Sequence, residues 1–293
     1  MFAEEWPLMT FTLLSQLAVG SFIVLVLIRA HFAHKNLNRE GHALTNFGFK
    51  TVGLITTLAL VFSLFHLGDP FGAYRSILNL GSSWLSREIL TAGGFFVLWF
   101  LTFRAYKNEN AGNALGWITA IVGLSVIYSM ASIYATSIRP AWSSINTYIA
   151  FYGATFAMGS LGAAILIAYA AKGKEVSAEA VSLLKKVNLL GGLAVIIPLI
   201  YLPVYISGLA NGITAAQASA QVISEGYSFV LIIRALVSLA GVGLMYYGLT
   251  KKVEKKGLPL NLVLIAFVLV FVGEFIGRYV FYASGVSIMI GMM

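Results

Sequence analysis

The sequence predicts an all-α integral membrane protein with eight transmembrane helices, an expectation that rests on composition, on run length and on the placement of charge. Of its 293 residues, 59% are hydrophobic and 10% charged, too little polar surface for a water-soluble globule of this length. Apolar runs long enough to cross a bilayer, which takes about 20 helical residues, recur near 7–30, 46–67, 88–106, 115–137, 147–171, 187–210, 229–250 and 259–284. Fourteen of the nineteen Lys and Arg, including all eleven Lys, fall in connections on one side. The positive-inside rule makes that side cytoplasmic, so eight spans leave both termini on the outer, periplasmic side. The net charge of +8 then reads as contact with anionic headgroups, not with nucleic acid. The chain has no cysteine, which excludes disulfides and any cysteine-ligated zinc or iron–sulfur centre on it.

The elements follow in order. Glu4 and Glu5 stand before the first span, where a secretory signal would be basic, so this span is expected to stay in the mature protein. The second span ends at His66-Leu67-Gly68-Asp69-Pro70: glycine caps a helix and proline cannot continue it. From Ala73 to Leu80, apolar residues at helical spacing oppose Arg75 and Asn79, so the segment can lie along the membrane surface as a roof. Ser86 is a candidate cap for the third span, placing Glu88 in its first turn. The fourth, fifth and sixth spans carry no ionisable residue at depth, and Pro198 and Pro203 predict a kink or break in the sixth. Ala18-Val19-Gly20-Ser21 in the first span echoes Ala157-Met158-Gly159-Ser160 in the fifth. One membrane domain over 1–293, divisible into halves 1–142 and 143–293, would account for that echo. Small residues at Gly153/Ala157, Gly159/Ala163 and Gly273/Gly277 are spaced for close helix packing.

An ionisable group in hydrocarbon costs roughly 2.5–3.5 kcal/mol on insertion scales, so the few retained are the first candidates for function: His66, Glu88, Arg234, Glu274 and Arg278. His66 and Glu88 sit at adjoining ends of the second and third spans. Together they supply an imidazole and a carboxylate whose proton affinities burial can tune, as proton-coupled chemistry requires. Each also has a structural reading, since His66 can cap a negative helix end and Glu88 a positive one. Glu274, Arg278 and Tyr282 share one face of the last span at i, i+4, i+8, and an internal Glu274–Arg278 ion pair is the expected reading. His31, His34 and His42 fall in a cytoplasmic loop as solvated histidines. No spacing completes a metal site, and a bis-histidine haem needs two histidines at depth where only His66 qualifies.

Five blocks taken together resemble the membrane anchor subunit of bacterial dimethyl sulfoxide reductase. They are Glu5-Trp6-Pro7-Leu8-Met9 with Phe11-Thr12, Phe22-Ile23-Val24-Leu25, His66-Leu67-Gly68-Asp69-Pro70, Ser86-Arg87-Glu88-Ile89, and the run Gly273-Glu274-Phe275-Ile276-Gly277-Arg278-Tyr279-Val280-Phe281-Tyr282. The resemblance runs the length of the sequence. It implies a multi-pass subunit of the bacterial cytoplasmic (inner) membrane that holds a molybdopterin catalytic subunit and an iron–sulfur electron-transfer subunit and oxidises menaquinol. It also implies that His66 and Glu88 are the quinol-site histidine and glutamate, with Tyr74, Arg75 and Trp84 of the roof enclosing the ring. Asp69 and Arg87 depart from the family pattern and add charge beside that site.

Two other readings stand beside this one. A secondary transporter would account for the repeat, the proline-interrupted sixth span and the buried Glu274/Arg278 pair. A quinone-binding anchor of a related polysulfide or nitrite reductase would keep the redox role and change the partner.

Overall fold

The structure, a computed structural model, describes residues 2–65, 79–109, 112–251 and 258–288. Among these residues there are nine α-helices and no strand. They are α1 (Phe2–His34), α2 (Asn38–Leu64), α3 (Trp84–Ala105), α4 (Ala114–Ala135), α5 (Ile145–Ala170), α6 (Ala178–Ala210), α7 (Thr214–Gln221), α8 (Ser228–Lys251) and α9 (Leu260–Ala283). All but the short α7 are long and apolar enough to cross a membrane, so this is an all-α membrane protein with eight candidate spans.

Helices run past the hydrocarbon-length segments read from the sequence. The expected loop at 31–45 shrinks to the turn 35–37, which Asn36 closes with φ 57°, a left-handed conformation that asparagine tolerates better than most residues. His31 and His34 therefore lie on α1 and His42 on α2, not in a solvated loop. His31 pairs with Glu179 of α6, and Lys35 lies 3.7 Å from the same carboxylate. Ser177 caps α6 by accepting from the amide of Ala180 at 3.1 Å. That helix then continues through Pro198 and Pro203 without a break. Gly153 of α5 leaves the space into which the Pro198 ring packs, so the neighbouring helix accommodates the proline. The connection 211–228 is folded too, as α7 followed by a π-helical turn, Val222–Gly226.

α1 and α5 form the axis of the bundle. α1 packs against α2, α4 and α5, while α5 packs also against α6 and α9; α3 lies on α4 and α8 on α9. The axial pair cross where Gly20 faces Gly159, and a Cβ on Gly20 would overlap the carbonyl oxygen of Thr155. Without a hydrophobic drive between helices in lipid, such contact is what van der Waals packing requires. Side chains add a few directed bonds: the Trp99 indole donates to the carbonyl of Phe49 at 2.7 Å through space left by Gly53. The perimeter is apolar, with Leu54, Val61, Val97, Ile121, Ile200 and Leu236 exposed, as a surface facing acyl chains should be.

Candidate functional site

The site is set by how α3 begins. Ser83 adopts an extended backbone and its hydroxyl accepts from the amide of Ser86 at 3.3 Å, so the cap is Ser83 and not Ser86. Trp84 and Leu85 thereby join the helix, and Trp84 packs edge-on against Tyr128 of α4 with ring centroids 5.5 Å apart. Glu88 consequently sits in the second turn and not the first, where the favourable field of a helix start has largely decayed. It is 6% exposed, and no described side chain pairs with its carboxyl. Capping the helix start therefore explains little of why a carboxyl is kept there.

Arg87 points elsewhere. Its Nε donates to the carbonyl of Leu80 and its Nη2 to that of Gly81, both at 2.8 Å, and its guanidinium lies 4.1 Å above the Trp84 ring. The expected extra charge beside Glu88 is instead spent on tying the 79–83 approach to α3. Within electrostatic reach of Glu88 is the buried hydroxyl of Tyr134. One turn deeper, Ala92 borders a gap of about 10 Å³ among α1 to α4, also bordered by Ser15, Ala18, Thr56 and Ala59. That gap holds one water at most. His66, Tyr74 and Arg75 lie outside the described residues; of the expected set, Glu88 and Trp84 are placed, on consecutive turns of α3.

The second charged group is arranged differently from expectation. Glu274 pairs with Arg234 of α8 at 3.5 Å, because Gly277 leaves α9 bare where the Arg234 guanidinium lies. Arg278 instead donates to Oε1 of Gln16 at 3.0 Å and stacks 3.7 Å over the Phe151 ring. Gln16 completes the link by donating to the carbonyl of Phe151 at 3.1 Å, and the hydroxyls of Tyr134 and Tyr282 meet at 2.8 Å. Sequence reading passed over Gln16 and Tyr134. Gln16 had a signal, an amide within an apolar run, whereas a tyrosine near a span end is too common to single out. Among the described residues no three His, Asp, Glu or Cys side chains cluster as metal ligands would.

Residues 1–284 match the family model of the DMSO reductase anchor subunit (DmsC). The sequence is 29% identical over 298 residues to the anaerobic dimethyl sulfoxide reductase protein YnfH of Escherichia coli, covering 99% of this protein and 97% of that one. It is 27% identical over 294 residues to a second anaerobic dimethyl sulfoxide reductase subunit of the same organism, with 99% and 97% covered. An anaerobic dimethyl sulfoxide reductase subunit of Haemophilus influenzae is 30% identical over 164 residues, 54% of this protein and 56% of its own length.

Proposed function

The chain belongs to the DMSO reductase anchor subunit family, and on that premise we propose that it oxidises menaquinol beside Glu88 and passes the electrons to an iron–sulfur partner. The observation that carries the reading is Glu88: a carboxyl buried within a span, one turn beyond the helix start, without an ion-pair partner among the described residues. One of the supports for a transporter is weaker than the sequence suggested, since α6 is unbroken.

Oxidation of a quinol to a quinone releases two protons and two electrons. Glu88 takes or relays each of the two protons in turn, and His66 accepts a hydrogen bond from one quinol hydroxyl. Trp84, with Tyr74 and Arg75 of the preceding segment, encloses the headgroup. The narrowness of the gap at Ala92 supports a ring held at the end of the bundle. Both electrons leave this subunit, because a sequence without cysteine offers no cluster ligands and the acceptor must be iron–sulfur on another subunit. A molybdopterin subunit then reduces the terminal acceptor. The complex sits in the bacterial inner membrane, with Glu88 at the outer face by the distribution of lysines.

Glu88→Gln in the assembled complex tests this. It keeps shape and removes the proton acceptor, so quinol-dependent turnover is expected to fall about 100-fold or more, while turnover from a reduced viologen that bypasses the anchor stays unchanged. Full quinol-dependent turnover in this variant would overturn the assignment.

A further inference from the structure

The end of the bundle opposite Glu88, where the lysines gather, carries an open groove between α2, α3 and the end of α5. Its volume is about 410 Å³, within the range of small-molecule sites, about 300–1,000 Å³. The polar border comes from α2 alone: His42, Asn46 and Lys50, at i, i+4 and i+8 on one helix face. The Nε2 atom of His42 is buried, which leaves the exposed Asn46 and Lys50 as the groups that can meet a ligand. Among the described residues no carboxylate pairs with Lys50. Phe47 of α2, Phe103 of α3 and Tyr169 of α5 form the walls, with the Phe47 and Tyr169 ring centroids 4.7 Å apart. A second ammonium, that of Lys107, lies 5.7 Å over the Phe103 ring.

Depth selects the ligand. Lys50 stands four residues inside the apolar run that begins at 46, about 6 Å along the helix. Its stem therefore lies among acyl carbons while its ammonium reaches back toward the headgroups. Phe103 and Tyr169 stand two residues and one residue before the ends of α3 and α5, the level at which aromatic side chains line a membrane interface. Deeper in the bilayer the same face of α2 continues as Leu54, Leu58 and Val61, all exposed, an apolar track for a hydrocarbon chain. An unpaired ammonium above such a track is complementary to a molecule with phosphate at one end and acyl carbon at the other, and basic pockets between spans are where anionic headgroups bind. A soluble anion would meet the charge and leave the track unused. We propose that this groove binds one anionic phospholipid, its phosphate against Lys50 and Asn46 and one acyl chain along Leu54, Leu58 and Val61.

The test titrates the complete, delipidated complex in mild detergent with radiolabelled phosphatidylglycerol or phosphatidylcholine, and measures bound lipid after gel filtration. A saturable phosphatidylglycerol site is expected, with phosphatidylcholine, which has no net charge, binding at least fivefold more weakly. Lys50→Gln should weaken phosphatidylglycerol binding about fivefold, the share of one lysine at a membrane surface. Ala43→Phe fills the groove border without altering a charge and should abolish one saturable site. Lys186→Gln removes an exposed lysine of α6, a helix that does not border the groove, and should change nothing. An excess of inorganic phosphate should not displace the lipid. Absence of a saturable phosphatidylglycerol site would overturn the proposal, as would equal affinity for phosphatidylcholine or displacement by inorganic phosphate. So would binding unmoved by Lys50→Gln and Ala43→Phe, or lowered as much by Lys186→Gln as by Lys50→Gln.

Discussion

Glu88 and Arg87 are adjacent in sequence and opposite in role. Helical geometry turns consecutive side chains about 100° apart, so one carboxyl is buried while its neighbour's guanidinium holds the carbonyls of Leu80 and Gly81. Arg87→Gln is expected to loosen the approach to α3 and leave the proton acceptor untouched. The KM for quinol should then rise severalfold with kcat changed by no more than about twofold, in steady-state assays of the assembled complex. A loss of kcat as large as that of Glu88→Gln would place Arg87 in the chemistry instead. Glu88 was legible in the sequence because a carboxylate in an apolar run has a cost that must be met somewhere. Its depth was not, since Ser83 and Ser86 are both competent caps. Packing of Trp84 on Tyr128 favours the earlier one.

The axial helices α1 and α5 carry the architecture. Gly20→Val would force a side chain into the backbone of α5 at Thr155 and Gly159, an overpacking that costs about 1–3 kcal/mol or more. The expected outcome is less assembled anchor in membranes and a lower midpoint of thermal aggregation. Gly93→Ala is the control, because a Cβ there meets nothing within 4 Å, and it should behave as the parent protein. Equal effects from both substitutions would mean that the crossing is not the point of sensitivity. All eight long helices could be read from apolar run length, but not their ends. α1 and α6 extend past their apolar runs with His31, His34, Lys185 and Lys186 aboard, and a search for hydrocarbon-length runs stops where charge begins. The π-helical turn before α8 has no such signal at all.

At the scale of the whole molecule, the charged residues at depth among the described residues divide into two groups whose partners could not be read from spacing. The i, i+4 relation of Glu274 and Arg278 satisfied the rule for a helical pair, yet close approach of α8 at Gly273 and Gly277 brought Arg234 to the carboxylate first. Arg234→Leu and Glu274→Leu should each cost about 3–5 kcal/mol by leaving a buried charge without its partner, and the double variant less than their sum. Membrane-bound partner protein measures this, and strict additivity would show that the two side chains do not interact. Both groups lie at the end of the bundle where α3 and α8 begin, and only Glu88 is proposed to meet the quinol. A photoreactive menaquinone analogue, cross-linked to the assembled complex and mapped by peptide mass spectrometry, separates them directly. Label is expected on peptides within 66–92, reduced by Glu88→Gln; label confined to peptides of α8 and α9 would contradict quinol oxidation at Glu88.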